Sequence, residues 1–122
     1  MSEIRNILII DDSKVSRMMV KAIAKQHFPD AVIFEAGNGD ETLKLEINQE
    51  LTHIICDYNM PGMDGLTLCE ELKKQHPGSY ITLLTANVQA ATRNKAEERG
   101  IHFTKKPVTE ERILSILSKQ GS

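Results

Sequence analysis

The sequence predicts an α/β fold in which a parallel β-sheet carries helices on both faces. Apolar runs of strand length alternate five times with segments of helical spacing. The first run, residues 4–10, is apolar almost throughout, which is typical of a strand covered on both sides. No linker, repeat or low-complexity tract interrupts the 122 residues. We therefore expect residues 1–122 to form a single domain.

The composition excludes several classes of function. A net charge of −2 gives no basic surface for nucleic acid. No apolar run approaches the roughly 20 residues that cross a bilayer, and residues 1–10 lack the pattern of a signal peptide. Cys56 and Cys69 do not have the spacing of a metal site. We expect free thiols, a cytoplasmic location, no nucleic-acid partner and no membrane insertion.

The five predicted strands are short apolar runs bounded by turn residues. They are expected at residues 4–10, 31–34, 53–57, 80–84 and 101–104. The third run ends on Asp57 and is followed by Pro61 and Gly62, which cannot continue a strand. Asp57 is therefore expected where a buried strand emerges from the core, which is the edge at which open α/β sheets bind ligands.

Capping residues and apolar spacing predict the helices. Ser13 is a suitable N-cap for the first helix, whose apolar side chains are expected to face the core: Val15, Met18, Met19, Ala22 and Ile23. Leu43 and Ile47 are expected to do the same in the second helix. The remaining helices are expected to begin near Asp64, Gln89 and Thr109.

Polar side chains follow four of the five predicted strands. These residues are Asp11, Asp12, Asp57, Thr85 and Lys106. The carboxyl ends of parallel strands share one edge, so the five side chains should converge. Clustered carboxylates repel one another unless a cation neutralises them, and oxygen ligands at a hydrated edge suit Mg²⁺. With a hydroxyl and an ammonium added, the site is complementary to a phosphoryl group, and a carboxylate can accept one covalently. Taken alone, Asp57 could equally be an aspartate that closes a strand.

Four motifs in this order resemble the receiver domain of two-component response regulators, including its single-domain, CheY-like members. They are Ile-Ile-Asp-Asp-Ser at 9–13, Cys-Asp-Tyr-Asn-Met-Pro-Gly-Met-Asp-Gly at 56–65, Leu-Leu-Thr-Ala at 83–86 and Lys-Lys-Pro at 105–107. The resemblance covers essentially the whole chain. It implies the flavodoxin-like (βα)5 fold, a doubly wound five-stranded sheet with strand order 2-1-3-4-5.

The resemblance also implies a role for each carboxylate. Asp57 would be the phosphoacceptor. Asp12 would ligate Mg²⁺ together with Asp57 and the backbone carbonyl of Asn59, while Asp11 would hold the metal through water. Mn²⁺ would be an alternative to Mg²⁺.

The other roles implied by the resemblance belong to the phosphorylated state. Thr85 and Lys106 would bond to the phosphoryl group, and the peptide bond from Lys106 to the next proline is often cis in the family. Phe103 occupies the aromatic switch position, where many members carry tyrosine. The alternative interpretation is that Phe103 is only an aromatic residue of the core or its rim. Asn59 and Asn87 occupy the two positions whose residues tune dephosphorylation in this family.

The sequence therefore predicts a stand-alone signalling switch without turnover of an external substrate. A histidine kinase or a phosphotransfer protein would phosphorylate Asp57, and the surface of the fourth helix, fifth strand and fifth helix would bind a protein target. We expect a monomer, and dimerisation on phosphorylation is left open. The alternatives are a phosphate sink or relay intermediate and a phosphorylation-independent binding module. A haloacid-dehalogenase-type phosphatase would need an acid in place of Asn59, and a flavodoxin-like nucleotide binder would need a phosphate-binding first loop in place of Asp11 and Asp12.

Overall fold

Five strands alternate with five helices in the computed structural model, which describes residues 4–86 and 89–120. In chain order the elements are β1 Asn6–Ile10, α1 Lys14–His27, β2 Val32–Ala36, α2 Gly39–Lys44, β3 His53–Asp57, α3 Gly65–Gln75, β4 Tyr80–Thr85, α4 Ala90–Glu98, β5 His102–Lys105 and α5 Glu110–Leu117. The predicted strand ends differ from these by at most two residues.

All strand pairs are parallel, and the sheet order is β2-β1-β3-β4-β5. The predicted fold class and strand order are therefore confirmed. Strand β3 lies at the centre of the sheet, where Ile7 of β1 and Tyr80 of β4 flank His53. All five residues of β3 are buried, including the terminal Asp57. The centre of the sheet thus holds this aspartate in a fixed position.

Successive residues of the central strands feed two separate hydrophobic cores, because neighbouring side chains point to opposite faces of a sheet. One core includes Leu8 and Ile54 and is covered by α3. The other includes Ile7 and Ile55 and is covered by α1 and α5. Helix α4 contributes a single buried side chain, Ala96, to the first core.

Three helix starts have the capping contacts that the sequence suggests. The side chain of Ser13 accepts the Ser16 N–H at 3.2 Å at the start of α1. Asp64 and Thr109 cap α3 and α5 in the same way. Each cap satisfies an N–H that the first helical turn leaves unpaired. Gln89 precedes α4 without such a side-chain bond.

The prediction for the buried face of α1 is wrong at several positions. Val15 is 67% exposed, Met18 57% and Met19 47%, and Ala22 is exposed too. The buried residues of this helix are Val20 and Ala24, with Ile23 packed beside them. The helix carries two apolar stripes offset by one residue. Because the position one turn before the buried Val20 is the polar Ser16, the periodicity alone favoured the exposed stripe.

The second helix is shorter than predicted and buries a different residue. Helix α2 ends at Lys44, Leu43 is 44% exposed, and Ile47 lies beyond the helix, partly buried against the first core. Thr42 occupies the core position instead. Its hydroxyl donates to the Asn38 carbonyl at 2.8 Å, which satisfies the polar group that burial would otherwise penalise.

Other sequence expectations concern membranes and thiols. Within residues 4–86 and 89–120, every helix is too short or too polar to span a bilayer. Cys56 and Cys69 are both buried and neither forms a disulfide. They pack into the first core as small apolar side chains.

Gly65 marks a close approach between α3 and the end of β3. A Cβ at this residue would lie 2.5 Å from the carbonyl oxygen of Asp57 and 2.8 Å from the Cα of Tyr58. Both are backbone atoms, so relief would require β3 and α3 to separate. The small size of Gly65 therefore places Asp57 against the N-terminus of α3.

We expect Gly65→Ala to lower the free energy of unfolding by about 1–3 kcal/mol, the usual cost of overpacking a core. Urea unfolding measures this change. Gly78→Ala is the matched control, because its Cβ would lie 3.6 Å from a glutamate side-chain oxygen, in ordinary contact. Equal stability of the two variants would contradict the packing argument.

Candidate functional site

The carboxyl edge of the sheet brings the predicted polar residues together. Asp11 directly follows β1, Asp57 ends β3, Thr85 ends β4 and Lys106 directly follows β5. Asp12 follows Asp11 in the same loop. Residues from four distant segments thus meet because parallel strands present their carboxyl ends to one side.

Three of these residues form a carboxylate cluster. One side-chain oxygen each from Asp11, Asp12 and Asp57 lies within 4.8 Å of the others. Asp11 and Asp57 are each 3% exposed, whereas Asp12 is exposed. The cluster is therefore open to solvent on the Asp12 side and closed by protein on the others.

Lys106 provides the positive charge beside this cluster. Its Nζ lies 2.9 Å from Asp57 Oδ1, and its backbone N–H donates to the Thr85 carbonyl at 2.9 Å. The preceding Lys105 is exposed, so Lys106 is the lysine at the site. The peptide bond between Lys106 and Pro107 is cis, as the resemblance suggested.

The pKa of Lys106 reflects two opposed effects. Partial burial disfavours its charged form, but the short contact with the Asp57 carboxylate and the charge of that carboxylate favour it. The charges of Asp11 and Asp12 act in the same direction as Asp57, so the pKa of Lys106 lies above its ordinary value. The ammonium is thus held firmly in its charged form.

The Asp11 carboxyl responds in the opposite sense. Burial raises its pKa, and the charges of Asp57 and Asp12 raise it further. The Ser13 N–H, which donates to Asp11 Oδ1 at 2.9 Å, and the charge of Lys106 lower the pKa without cancelling the rise. Negative charge at Asp11 is therefore costly.

The residues at this site fit a divalent cation. Three carboxylates face one ammonium, which leaves an excess of negative charge. Lys106 lies at ion-pair distance from the buried Asp57 Oδ1, yet no hydrogen bond of regular geometry reaches that oxygen from residues 4–86 and 89–120. An unsatisfied buried oxygen beside an acidic, solvent-open position suits Mg²⁺, which takes oxygen ligands and keeps part of its water.

The remaining predicted residues have mixed placements. Asn59 is exposed on the loop after β3, so the metal role of its carbonyl stays a prediction. Phe103 of β5 is half-buried and packs against the first core, and its role as a switch between outward and inward positions stays a prediction. Asn87 lies outside the described residues.

Sequence reasoning missed Arg17. Its Nη1 donates to the Asp11 backbone carbonyl at 2.5 Å, and its Nε lies 3.3 Å from Glu35 Oε1. A basic residue one helical turn after the Ser13 N-cap is the only signal in the sequence. Because backbone acceptors leave no trace in the sequence, this signal does not reveal the contact.

Known proteins resemble this chain over most of its length. The response regulator receiver domain family matches residues 7–118. The sensor protein EvgS of Escherichia coli is 34% identical over 115 residues, which make up 93% of this chain but 9% of EvgS. The chemotaxis protein CheY of Bacillus subtilis is 32% identical over 115 residues, 93% of this chain and 94% of CheY.

Solved structures show the same fold. The chemotaxis response regulator CheY4 of Vibrio cholerae superimposes with a TM-score of 0.80 over 94% of this chain and 97% of CheY4, at 24% sequence identity. The match of the family model over residues 7–118 shows that the chain belongs to the response regulator receiver domain family. It is a receiver domain of the CheY type, a class that acts as a signalling switch.

The raised pKa of Asp11 gives a prediction for stability. Asp11→Asn keeps an oxygen for the Ser13 N–H and removes the charge, so we expect its melting temperature without divalent cations at pH 7 to be a few degrees higher. The folded protein binds the Asp11 proton more tightly than the unfolded chain does. The wild type therefore loses stability as pH rises from about 3.8 through the folded pKa, and the gap to Asp11→Asn should close at acidic pH.

Thermal unfolding in EDTA and in Mg²⁺ checks this prediction, with Asp30→Asn in the turn after α1 as the matched control. Mg²⁺ should stabilise the wild type and the control but have little effect on Asp11→Asn. An Asp11→Asn variant that is less stable in EDTA than the wild type would contradict the electrostatic argument.

Proposed function

We propose that this chain is a stand-alone response regulator of the cytoplasm, in which Asp57 accepts a phosphoryl group from a histidine kinase or phosphotransfer protein. The observation that carries the proposal is the surroundings of Asp57. Its buried carboxylate lies 2.9 Å from the Lys106 ammonium and shares a site with Asp11 and Asp12. This combination offers a nucleophile, a fixed cation and a place for a metal ion.

In the proposed transfer, a carboxylate oxygen of Asp57 bonds to phosphorus while the phosphorus–nitrogen bond of the donor's phosphohistidine breaks. Asp11, Asp12 and Asp57 would hold Mg²⁺, with the Asn59 carbonyl as a further ligand, and the metal would neutralise phosphoryl oxygens. Lys106 would pair with the same group. Positioning and charge neutralisation supply most of the catalysis in phosphoryl transfer.

Phosphorylation would then change what Lys106 and Thr85 contact. Lys106 pairs with Asp57 before transfer and would pair with a phosphoryl oxygen after it, while the Thr85 hydroxyl bonds to another. The Lys106 N–H is tied to the Thr85 carbonyl, so the ends of β4 and β5 would respond together. We propose that the adjoining surface of α4, β5 and α5 binds a protein target, with Phe103 as the side chain that changes position.

The exposed face of α1 supports a protein as the donor. Val15, Met18 and Met19 are exposed apolar residues on the helix that begins two residues after Asp12. Methionine adapts its shape to a partner, and an apolar face beside a reaction site favours docking of another protein. We propose that the phosphohistidine domain of the donor packs on this face while it presents its phosphoryl group to Asp57.

The first test is intact mass after incubation with acetyl phosphate, with and without Mg²⁺. We expect one added phosphoryl group on the wild type, only with Mg²⁺, because the acceptor and its cation site are both required. Asp57→Asn should show no adduct. Lys106→Gln should form little adduct, because it removes the ammonium that would stabilise the transferring group.

The control for folding is the unfolding free energy of each variant, and beryllium fluoride serves as a phosphoryl mimic on the wild type. A wild type that takes up neither phosphoryl nor beryllium fluoride would refute the switch. The domain would then be a phosphorylation-independent binding module. A modified protein that never changes its α4, β5 and α5 amide shifts in NMR would indicate a phosphate sink or relay.

The α1 face gives a separate prediction about the donor. Met18→Gln combined with Met19→Gln should slow transfer from a phosphohistidine-containing phosphotransfer domain at least several-fold, because docking loses apolar contact. Transfer from acetyl phosphate is the internal reference and should fall much less. Since both side chains are exposed, the unfolding free energy should change by less than about 0.5 kcal/mol per substitution. An equal loss with both donors would argue against docking on α1.

A further inference from the structure

The backbone carbonyl of Asp11 has a charged partner that belongs to a small ion network. Arg17 Nη1 donates to this carbonyl at 2.5 Å. Arg17 Nε lies 3.3 Å from one carboxylate oxygen of Glu35, and Lys21 Nζ lies 3.3 Å from the other. The Arg17 side chain is 18% exposed, so its guanidinium is enclosed between α1 and β2.

Asp11 is held at three points, and Arg17 controls one of them. The Asp11 N–H donates to the Ala36 carbonyl at 3.1 Å, and the Asp11 carboxylate accepts the Ser13 N–H. The Asp11 carbonyl accepts a hydrogen bond from the Arg17 guanidinium. The peptide unit that joins Asp11 to Asp12 is planar, so fixing its carbonyl also fixes the N–H of Asp12. Asp12 is exposed, so this peptide anchors its backbone where side-chain packing does not.

We propose that Arg17 is a positioning residue for the cation site. Its bond to the Asp11 carbonyl holds the peptide that aims Asp12 at the space shared with Asp57. The inference rests on the proposed function, in which this space takes Mg²⁺. Groups that orient metal ligands commonly change metal affinity by about 10–100-fold when they are removed.

Two roles of Arg17 predict opposite signs for the effect of a substitution. The positive charge of the guanidinium repels a cation, so neutralising it should strengthen cation binding if charge is what matters. If Arg17 positions Asp12, neutralising it should weaken cation binding, because the carboxylate is no longer aimed. The sign of the change therefore separates positioning from electrostatics.

The experiment measures Mn²⁺ dissociation constants by EPR of the free ion for the wild type, Arg17→Gln and Lys21→Gln. Lys21→Gln is the matched control, since it removes the same charge from the same network without a contact to Asp11. We expect Arg17→Gln to bind Mn²⁺ roughly 10-fold more weakly. Lys21→Gln should stay within about 2-fold of the wild type, as expected for an exposed, screened charge. Saturating Mg²⁺ should restore phosphorylation of Arg17→Gln by acetyl phosphate, because Asp57 and Lys106 are unchanged.

Equal or tighter Mn²⁺ binding by Arg17→Gln would overturn the inference. If that variant does not fold, Arg17→Lys replaces it, since lysine keeps the charge but lacks the planar fork that serves two acceptors. Weaker Mn²⁺ binding by Arg17→Lys would support positioning, and unchanged binding would overturn it. If the wild type itself binds no Mn²⁺, the role of the metal ion in the proposed function is refuted as well. If the wild type binds Mn²⁺ and Arg17→Gln binds it equally well, only the proposed role of Arg17 is refuted.

Discussion

An excess of negative charge at the carboxyl edge is the constraint on which the site depends. Three carboxylates share one edge of the sheet with the Lys106 ammonium, and two of them are buried. Charges in a poorly solvated position interact more strongly than in water and are costly when unpaired. The carboxylates and the ammonium therefore do not balance one another, and a cation would offset the remaining negative charge.

The fold holds this unfavourable arrangement in place by burying the strands beneath it. Strand β3 is buried along its length and carries Asp57 at its end, while Gly65 lets α3 approach the same backbone closely. Apolar cores on both faces of the sheet provide the stability that the carboxylates diminish. The site can thus remain electrostatically strained while the domain as a whole stays folded.

Most of the fold and the site could be predicted because their signals are local. Asp11, Asp57 and Lys106 follow apolar runs, so the strand pattern alone places them at one edge. The residues of α1 whose burial was predicted wrongly depend on tertiary context. The buried stripe of α1 has a serine one turn before Val20, and two apolar stripes offset by one residue have the same period. The contact of Arg17 was hidden because its acceptor is a backbone carbonyl, which the sequence does not display.

The single buried side chain of α4 has a consequence for how a signal could leave the domain. Burying one methyl group contributes about 1 kcal/mol, whereas α5 buries Ile113, Ile116 and Leu117. A surface ion pair such as Arg99 with Glu70, 3.1 Å apart, adds about 1 kcal/mol at most. Displacing α4 therefore costs little free energy, and in the proposed switch a change of charge at the sheet edge would have only this small cost to overcome. Strand β3, which ends in Asp57, is buried throughout, whereas one methyl group holds α4 in the first core, so α4 is the element of the two that moves at the lower cost.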